Sequence, residues 1–202
     1  MDEHIMDFEF EEEIEALEQK ILDHPNKKDL VVFYGSSSIR LWENLENDLT
    51  PLNILNLGFG GSSFSWCIYY FERLFANIEP SHMVIYVGDN DLANGIKPEK
   101  VLKKFRMLVK MVRLTFPRMP LDFITIKPSP IRTYLLPEIQ LTNKLIRKEL
   151  MGLDKARLIN VFDSMLNERN VARPELYLED QLHMNEKGYK IWRGVVRRYF
   201  EI

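Results

Sequence analysis

The chain has 202 residues, 46% of them hydrophobic and 28% charged, the balance of one globular domain rather than of a disordered or fibrous chain. A net charge of −3 leaves no basic field for nucleic acid, and no run approaches the ~18 apolar residues of a membrane span. The lone Cys67 excludes an intramolecular disulfide or a paired-cysteine metal site, and with Trp66, Ile68 and Tyr69 around it a buried thiol is expected. The acidic opening Met1-Asp2-Glu3-His4 is the opposite of a secretory signal, so a cytoplasmic protein of one domain is expected.

Phe10, Ile14, Leu17 and Ile21 recur at helical spacing among glutamates and predict an amphipathic helix ending before His24-Pro25-Asn26. Asp29 to Tyr34 is then a continuously apolar, β-branched run ending at Gly35, the pattern of a buried parallel strand. The runs 52–57, 82–87, 121–126 and 157–162 repeat it, the first two also ending in glycine. Helical patterns fall around Phe64 to Asn77, Pro98 to Phe116 and Leu136 to Met151, with a last helix after Asn185. Strands alternating with helices of this length imply right-handed crossovers, hence an α/β fold: a three-layer α/β/α sandwich, flavodoxin-like, with a parallel sheet of about five strands. The basic positions of the 98–116 helix, Lys100 to Arg113, read as a solvated outer face.

Ligands in such sheets bind at the carboxyl ends of the strands. Gly35-Ser36-Ser37-Ser38, Gly58-Phe59-Gly60-Gly61-Ser62-Ser63 and Gly88-Asp89-Asn90-Asp91 each follow directly on a strand. The serines offer a hydroxyl on a strand-to-helix turn, or simply a helix cap. Gly60 and Gly61 allow a backbone N–H near a reacting oxygen without a Cβ in the way. Asp89, Asn90 and Asp91 are oxygen donors, but the loop does not fit an EF-hand, and Asn90 reads better as an amide donor. Near the C-terminus Asp180 stands three residues before His183, so one turn brings the carboxylate against an imidazole nitrogen and leaves the other free. His4, His24 and His82 have no comparable setting. Phe59, Phe64, Trp66, Tyr69 and Tyr70 read as mostly core, with one or two near the second loop available to line an acyl pocket.

Taken in order, these four segments resemble the SGNH hydrolases, also called GDSL-type lipases and acylhydrolases, over nearly the whole chain. Tyr34-Gly35-Ser36-Ser37-Ser38-Ile39 matches the first block, and the resemblance implies Ser37 as nucleophile. Asn56 to Gly61 matches the second, implying Gly61 in the oxyanion hole; Gly88 to Asp91 matches the third, implying Asn90 as side-chain donor; Asp180-Gln181-Leu182-His183 matches the DxxH block. Ser36 stands where the family usually has aspartate, and Ser62-Ser63 where Asp-Thr is frequent. The turn 126–130 is placed to border the site.

The activity implied is hydrolysis of a small carboxylic ester through a Ser37-His183-Asp180 triad, with the Ser37 and Gly61 N–H groups and the Asn90 amide holding the oxyanion. No cofactor or metal is required, and the expected partner is a small-molecule ester. Two other readings stay open: a non-catalytic ligand-binding domain on the same fold, and metal-dependent hydrolysis through Asp89, Asp91 and His183.

Overall fold

The structure is a computed structural model and describes residues 10–26 and 28–202. The acidic opening, including His4, lies outside the described residues. Leu30-Val31-Val32-Phe33-Tyr34-Gly35 forms β1 (Leu30–Gly35), buried at all six positions. A strand with no polar face needs cover on both sides. Alternation divides it between two cores: Leu30, Val32 and Tyr34 enter one, Val31 and Phe33 the other. The same division runs through β2 (Asn53–Gly58), β3 (His82–Tyr86) and β4 (Leu121–Ile124); β5 (Ala156–Ile159) closes the edge with Arg157 exposed. All pairings are parallel and the order is β2-β1-β3-β4-β5, the expected flavodoxin-like arrangement.

In chain order the helices are α1 (Glu11–Asp23), α2 (Ser37–Arg40), α3 (Leu45–Asp48), α4 (Phe64–Tyr69), α5 (Phe71–Phe75), α6 (Asp89–Ala93), α7 (Pro98–Thr115), α8 (Leu136–Leu150) and α9 (Glu186–Phe200). Ile14 and Ile21 of α1, Phe64 and Cys67 of α4, Phe105 of α7 and Ile146 of α8 fill the first core. Ile39 of α2, Leu45 of α3 and Trp192 and Val196 of α9 fill the second. Cys67 is free and buried, and burial pushes its thiol pKa well up. The helix expected from Phe64 to Asn77 is instead two short ones, interrupted at Tyr70 (φ −88°, ψ 0°), whose ring contacts those of Trp66 and Tyr69. No described helix is long and apolar enough to cross a membrane.

The basic face of α7 is not uniformly solvated. Lys104 donates to Asp91 at 2.9 Å, Arg106 to Glu149 at 2.6 Å, and Arg113 to the backbone oxygens of Met119 and Asp154. Of the expected aromatic core, Phe59, Phe64 and Tyr70 are buried, Trp66 is partly so, and Tyr69 is exposed.

Two glycines near the strand ends differ in why they are glycine. At Gly35 φ is +143° and a Cβ would stand 1.9 Å from the Tyr86 carbonyl oxygen; at Gly61 φ is +55° and nothing lies within 4 Å. Gly61→Ala is therefore expected to cost only the left-handed penalty of about 1–2 kcal/mol. Gly35→Ala has to move β1 away from β3 and is expected to cost more than about 4 kcal/mol. Urea unfolding of the two variants checks this; equal losses would contradict it.

Candidate active site

β1 stops at Gly35, where the Ser36 N–H donates to Tyr86 O at 2.9 Å and the chain turns into α2. Ser36 holds the N-cap position without capping through its side chain, and its Oγ is buried with no hydrogen-bond partner among the described residues. The capping alternative thus does not describe these serines. Ser37 is the first residue of α2, where a backbone N–H has no intrahelical acceptor, and it is 6% exposed. Two long-range bonds fix this turn: Asn56 Nδ2 donates to Ile39 O at 2.7 Å, and Tyr189 Oη to Ser38 O at 3.1 Å.

The second and third loops are joined by side chains. Gly60 N–H donates to Glu13 Oε2 at 2.8 Å, which anchors the glycine turn to α1, and Gly61 lies exposed at its tip. Asn90, on α6, donates from Nδ2 to Ser62 O at 3.1 Å, so the amide sits against the residue following Gly61. Asp91 is a brace: Oδ2 accepts from Phe64 N–H and Oδ1 from Lys104 Nζ, each at 2.9 Å.

Asp180 and His183 meet as their spacing predicts. Asp180 Oδ2 lies 2.6 Å from His183 Nδ1, and Oδ1 accepts from the N–H groups of Leu182 and His183, both at 2.9 Å. Desolvation raises the Asp180 pKa, but the Leu182 and His183 N–H groups and the imidazole outweigh it and hold the carboxyl down at about 2. Gln181 takes the left-handed conformation (φ +55°) at the tip of the turn, and Leu178 N–H closes it by donating to His183 O at 2.8 Å. Asn185 then caps α9. Its Oδ1 accepts from Lys187 and Gly188 N–H at 2.9 and 3.3 Å, while Nδ2 donates to Glu175 O and Tyr177 O at 3.1 and 2.9 Å.

The segment after β4 joins these loops, and only its first residues stood out in the sequence. Asn143 of α8 clasps Ile126 through its N–H (2.8 Å) and its C=O (2.9 Å). Next to it the buried Lys127 donates from Nζ to Leu182 O at 3.1 Å, 3.9 Å from Asp89 Oδ2. Burial lowers the Lys127 pKa to about 8; Asp89 and Asp180 oppose that fall and Arg132 adds to it. Ile131 N–H donates to Gln181 O at 3.2 Å. Arg132 Nη1 lies 3.3 Å from Asp89 Oδ2, and Nη2 donates to Asn90 Oδ1 at 2.9 Å. The signal for Lys127 and Arg132 was no more than basic residues flanking Pro128-Ser129-Pro130 at a strand end.

Asp89 thus faces Arg132 and Lys127, Asp91 faces Lys104, and His183 faces Asp180. The metal alternative needed Asp89, Asp91 and His183 together; among the described residues no group of three or more His, Cys, Asp or Glu side chains converges. A second histidine–carboxylate contact, His82 to Asp122 at 2.6 Å, lies at the amino end of β3, the opposite edge of the sheet. A groove of about 490 Å³ lined by Trp42, Asp48, Leu178, Tyr189 and Arg193 runs beside the Asp180 turn but includes none of Ser37, Gly61, Asn90 and His183.

Residues 31–191 match the model of the GDSL-like Lipase/Acylhydrolase family. No curated protein matches the sequence. Among solved structures, a Streptococcus pneumonia protein described as a platelet activating factor superposes with a TM-score of 0.82 at 16% identity, covering 94% of this chain and 91% of its own. A Bacteroides fragilis protein described as an acylhydrolase reaches 0.79 at 18% identity, over 93% and 95% of the two chains. A GDSL-like lipase from Bacteroides thetaiotaomicron reaches 0.75 at 21% identity, over 95% of each chain. At these identities the likeness is one of fold.

The depressed Asp180 carboxyl makes a signed prediction. Its ionised form stabilises the folded protein above about pH 4, and that contribution is lost as pH falls through about 2. The stability gap between wild type and Asp180→Leu, read by urea unfolding, is expected to be full at pH 5 and to narrow steadily below pH 4. A gap that widens on acidification would contradict it.

Proposed function

The chain belongs to the GDSL-like lipase/acylhydrolase family, matched over residues 31–191, and from that premise we propose that it is a serine esterase acting on a small carboxylic ester. The observation that carries this reading is the Asp180–His183 contact of 2.6 Å, which engages Nδ1 and leaves Nε2 for proton transfer. Ser37 Oγ attacks the ester carbonyl carbon as His183 Nε2 takes its proton. Asp180 holds the tautomer and stabilises the imidazolium. The carbonyl π electrons move onto oxygen, where the N–H groups of Ser37 and Gly61 and the Asn90 amide receive the charge. Collapse expels the alcohol, which takes the proton from His183 and leaves an acyl group on Ser37. Water, deprotonated by the same imidazole, repeats the attack and releases the acid.

Several local features support these roles. A Ser37 N–H at the start of α2 needs an external acceptor, and Gly61 presents its backbone without a Cβ at an exposed turn. Ile131 and Leu178, bonded to the Asp180–His183 turn through their backbones, are 57% and 49% exposed, an open apolar rim that suits a small ester.

Two substitutions test the reading. Asp180→Asn still accepts the two N–H bonds but turns an amide N–H toward His183 Nδ1, so kcat is expected to fall by about 10⁴ from the wrong tautomer. Asn90→Ala is expected to lower kcat by about 10²–10³, or about 2.7–4 kcal/mol, with KM little changed. Steady-state kinetics on a short-chain nitrophenyl ester measures both. Activity within twofold of wild type in Asp180→Asn would reject the triad.

A further inference from the structure

A carboxamide has one acceptor and two N–H donors, and Asn90 has two of the three committed. Nδ2 donates to Ser62 O at 3.1 Å, and Oδ1 accepts from Arg132 Nη2 at 2.9 Å. The second Nδ2 hydrogen has no acceptor among the described residues. A guanidinium offers donors only, and the Ser62 carbonyl accepts only. Turning the amide over would set NH₂ against N–H and oxygen against oxygen, so both partners select one orientation.

Arg132 is itself held. Its side chain is 13% exposed, Nη1 lies 3.3 Å from Asp89 Oδ2, and the preceding Ile131 N–H donates to Gln181 O at 3.2 Å within the Asp180–His183 turn. Asp89 Oδ1 also accepts from Asn90 N–H at 3.1 Å. One carboxylate thus ties the backbone of Asn90 to the guanidinium that orders its side chain.

We propose that Arg132 is a positioning residue for acyl transfer, which locks the Asn90 amide with an N–H toward the reacting oxygen and polarises it as charge develops there. The inference rests on the serine-esterase reading above. Its physical basis is that a charge-assisted bond to the amide oxygen withdraws electron density from the nitrogen and strengthens the bond its N–H donates. Arg132 acts through Asn90 and not on substrate, so its effect disappears when Asn90 is absent.

The test is a double-mutant cycle with Arg132→Met and Asn90→Ala, read as kcat and KM on the same nitrophenyl ester. Arg132→Met is expected to lower kcat about 10- to 100-fold with KM within about threefold. In the Asn90→Ala background the same substitution is expected to lower kcat by less than about threefold. Guanidinium chloride at millimolar concentration is expected to restore part of the activity of Arg132→Ala but none when Asn90→Ala is added to it. A purely structural role would not produce that split.

Thermal unfolding reports whether each variant folds. If Arg132→Met does not, Arg132→Gln with Asp89→Asn carries the same comparison in both backgrounds. Equal losses of kcat with and without Asn90, or no loss at all, overturn the inference. Ser37→Ala separates the two levels: an inactive Ser37→Ala beside an uncoupled Arg132 rejects only the positioning role, whereas an active Ser37→Ala rejects the esterase reading and this inference with it.

Discussion

Trp192 of α9 is fully buried, its ring 4.9 Å from Tyr86 of β3 and 5.8 Å from Trp42, which follows α2. Tyr189, one turn earlier, packs on Trp42 at 5.7 Å and donates to Ser38 O across 151 positions of sequence. A carboxylate–imidazole turn formed locally by residues 180–183 is of no use to Ser37 unless something brings it back to β1. The aromatic face of α9, which follows that turn, packs on Trp42 and Tyr86 beside β1 and α2. Burial of rings this size contributes several kcal/mol, far more than the single Tyr189 hydrogen bond. Packing therefore sets the approach, and hydrogen bonds set the orientation.

Around the strand ends, charged groups are buried where apolar ones would be less costly. Lys127 is 2% exposed, Asp89 5%, and the Arg132 side chain 13%. Replacing such a set with well-packed apolar residues is often neutral or stabilising, so net stability is a poor account of it. Its contacts are more informative. Lys127 reaches Leu182 O in the Asp180–His183 turn, Arg132 reaches the Asn90 amide, and Asp89 faces both cations. The network links the loop after β3 to the turn before α9, and its members accept desolvation in exchange for fixed angles.

Much of this was legible in the sequence. Leu30 to Gly35 could only be a strand covered on both faces, and Asp180 with His183 could meet within a turn because backbone N–H groups collect on one carboxylate oxygen. The start of the last helix after Asn185 was likewise local. What escaped depends on distant partners. Lys104 looked like one more solvated lysine until folding set it against Asp91, and Asp91 looked like an oxygen ligand until Phe64 N–H and Lys104 claimed it. Ser36 looked like a cap, but its hydroxyl is buried without a partner. Arg132 showed only as a basic residue beside Pro128-Ser129-Pro130, because its partner is an amide 42 positions away.

The proposed esterase activity requires Ser37 as the attacking group. A fluorophosphonate probe, which phosphonylates an activated serine, followed by peptide mapping on the folded protein measures this most directly. The account predicts one stoichiometric adduct, on Ser37, lost in His183→Ala. An adduct on Ser36 or Ser38, or none on a protein that still hydrolyses esters, would contradict it.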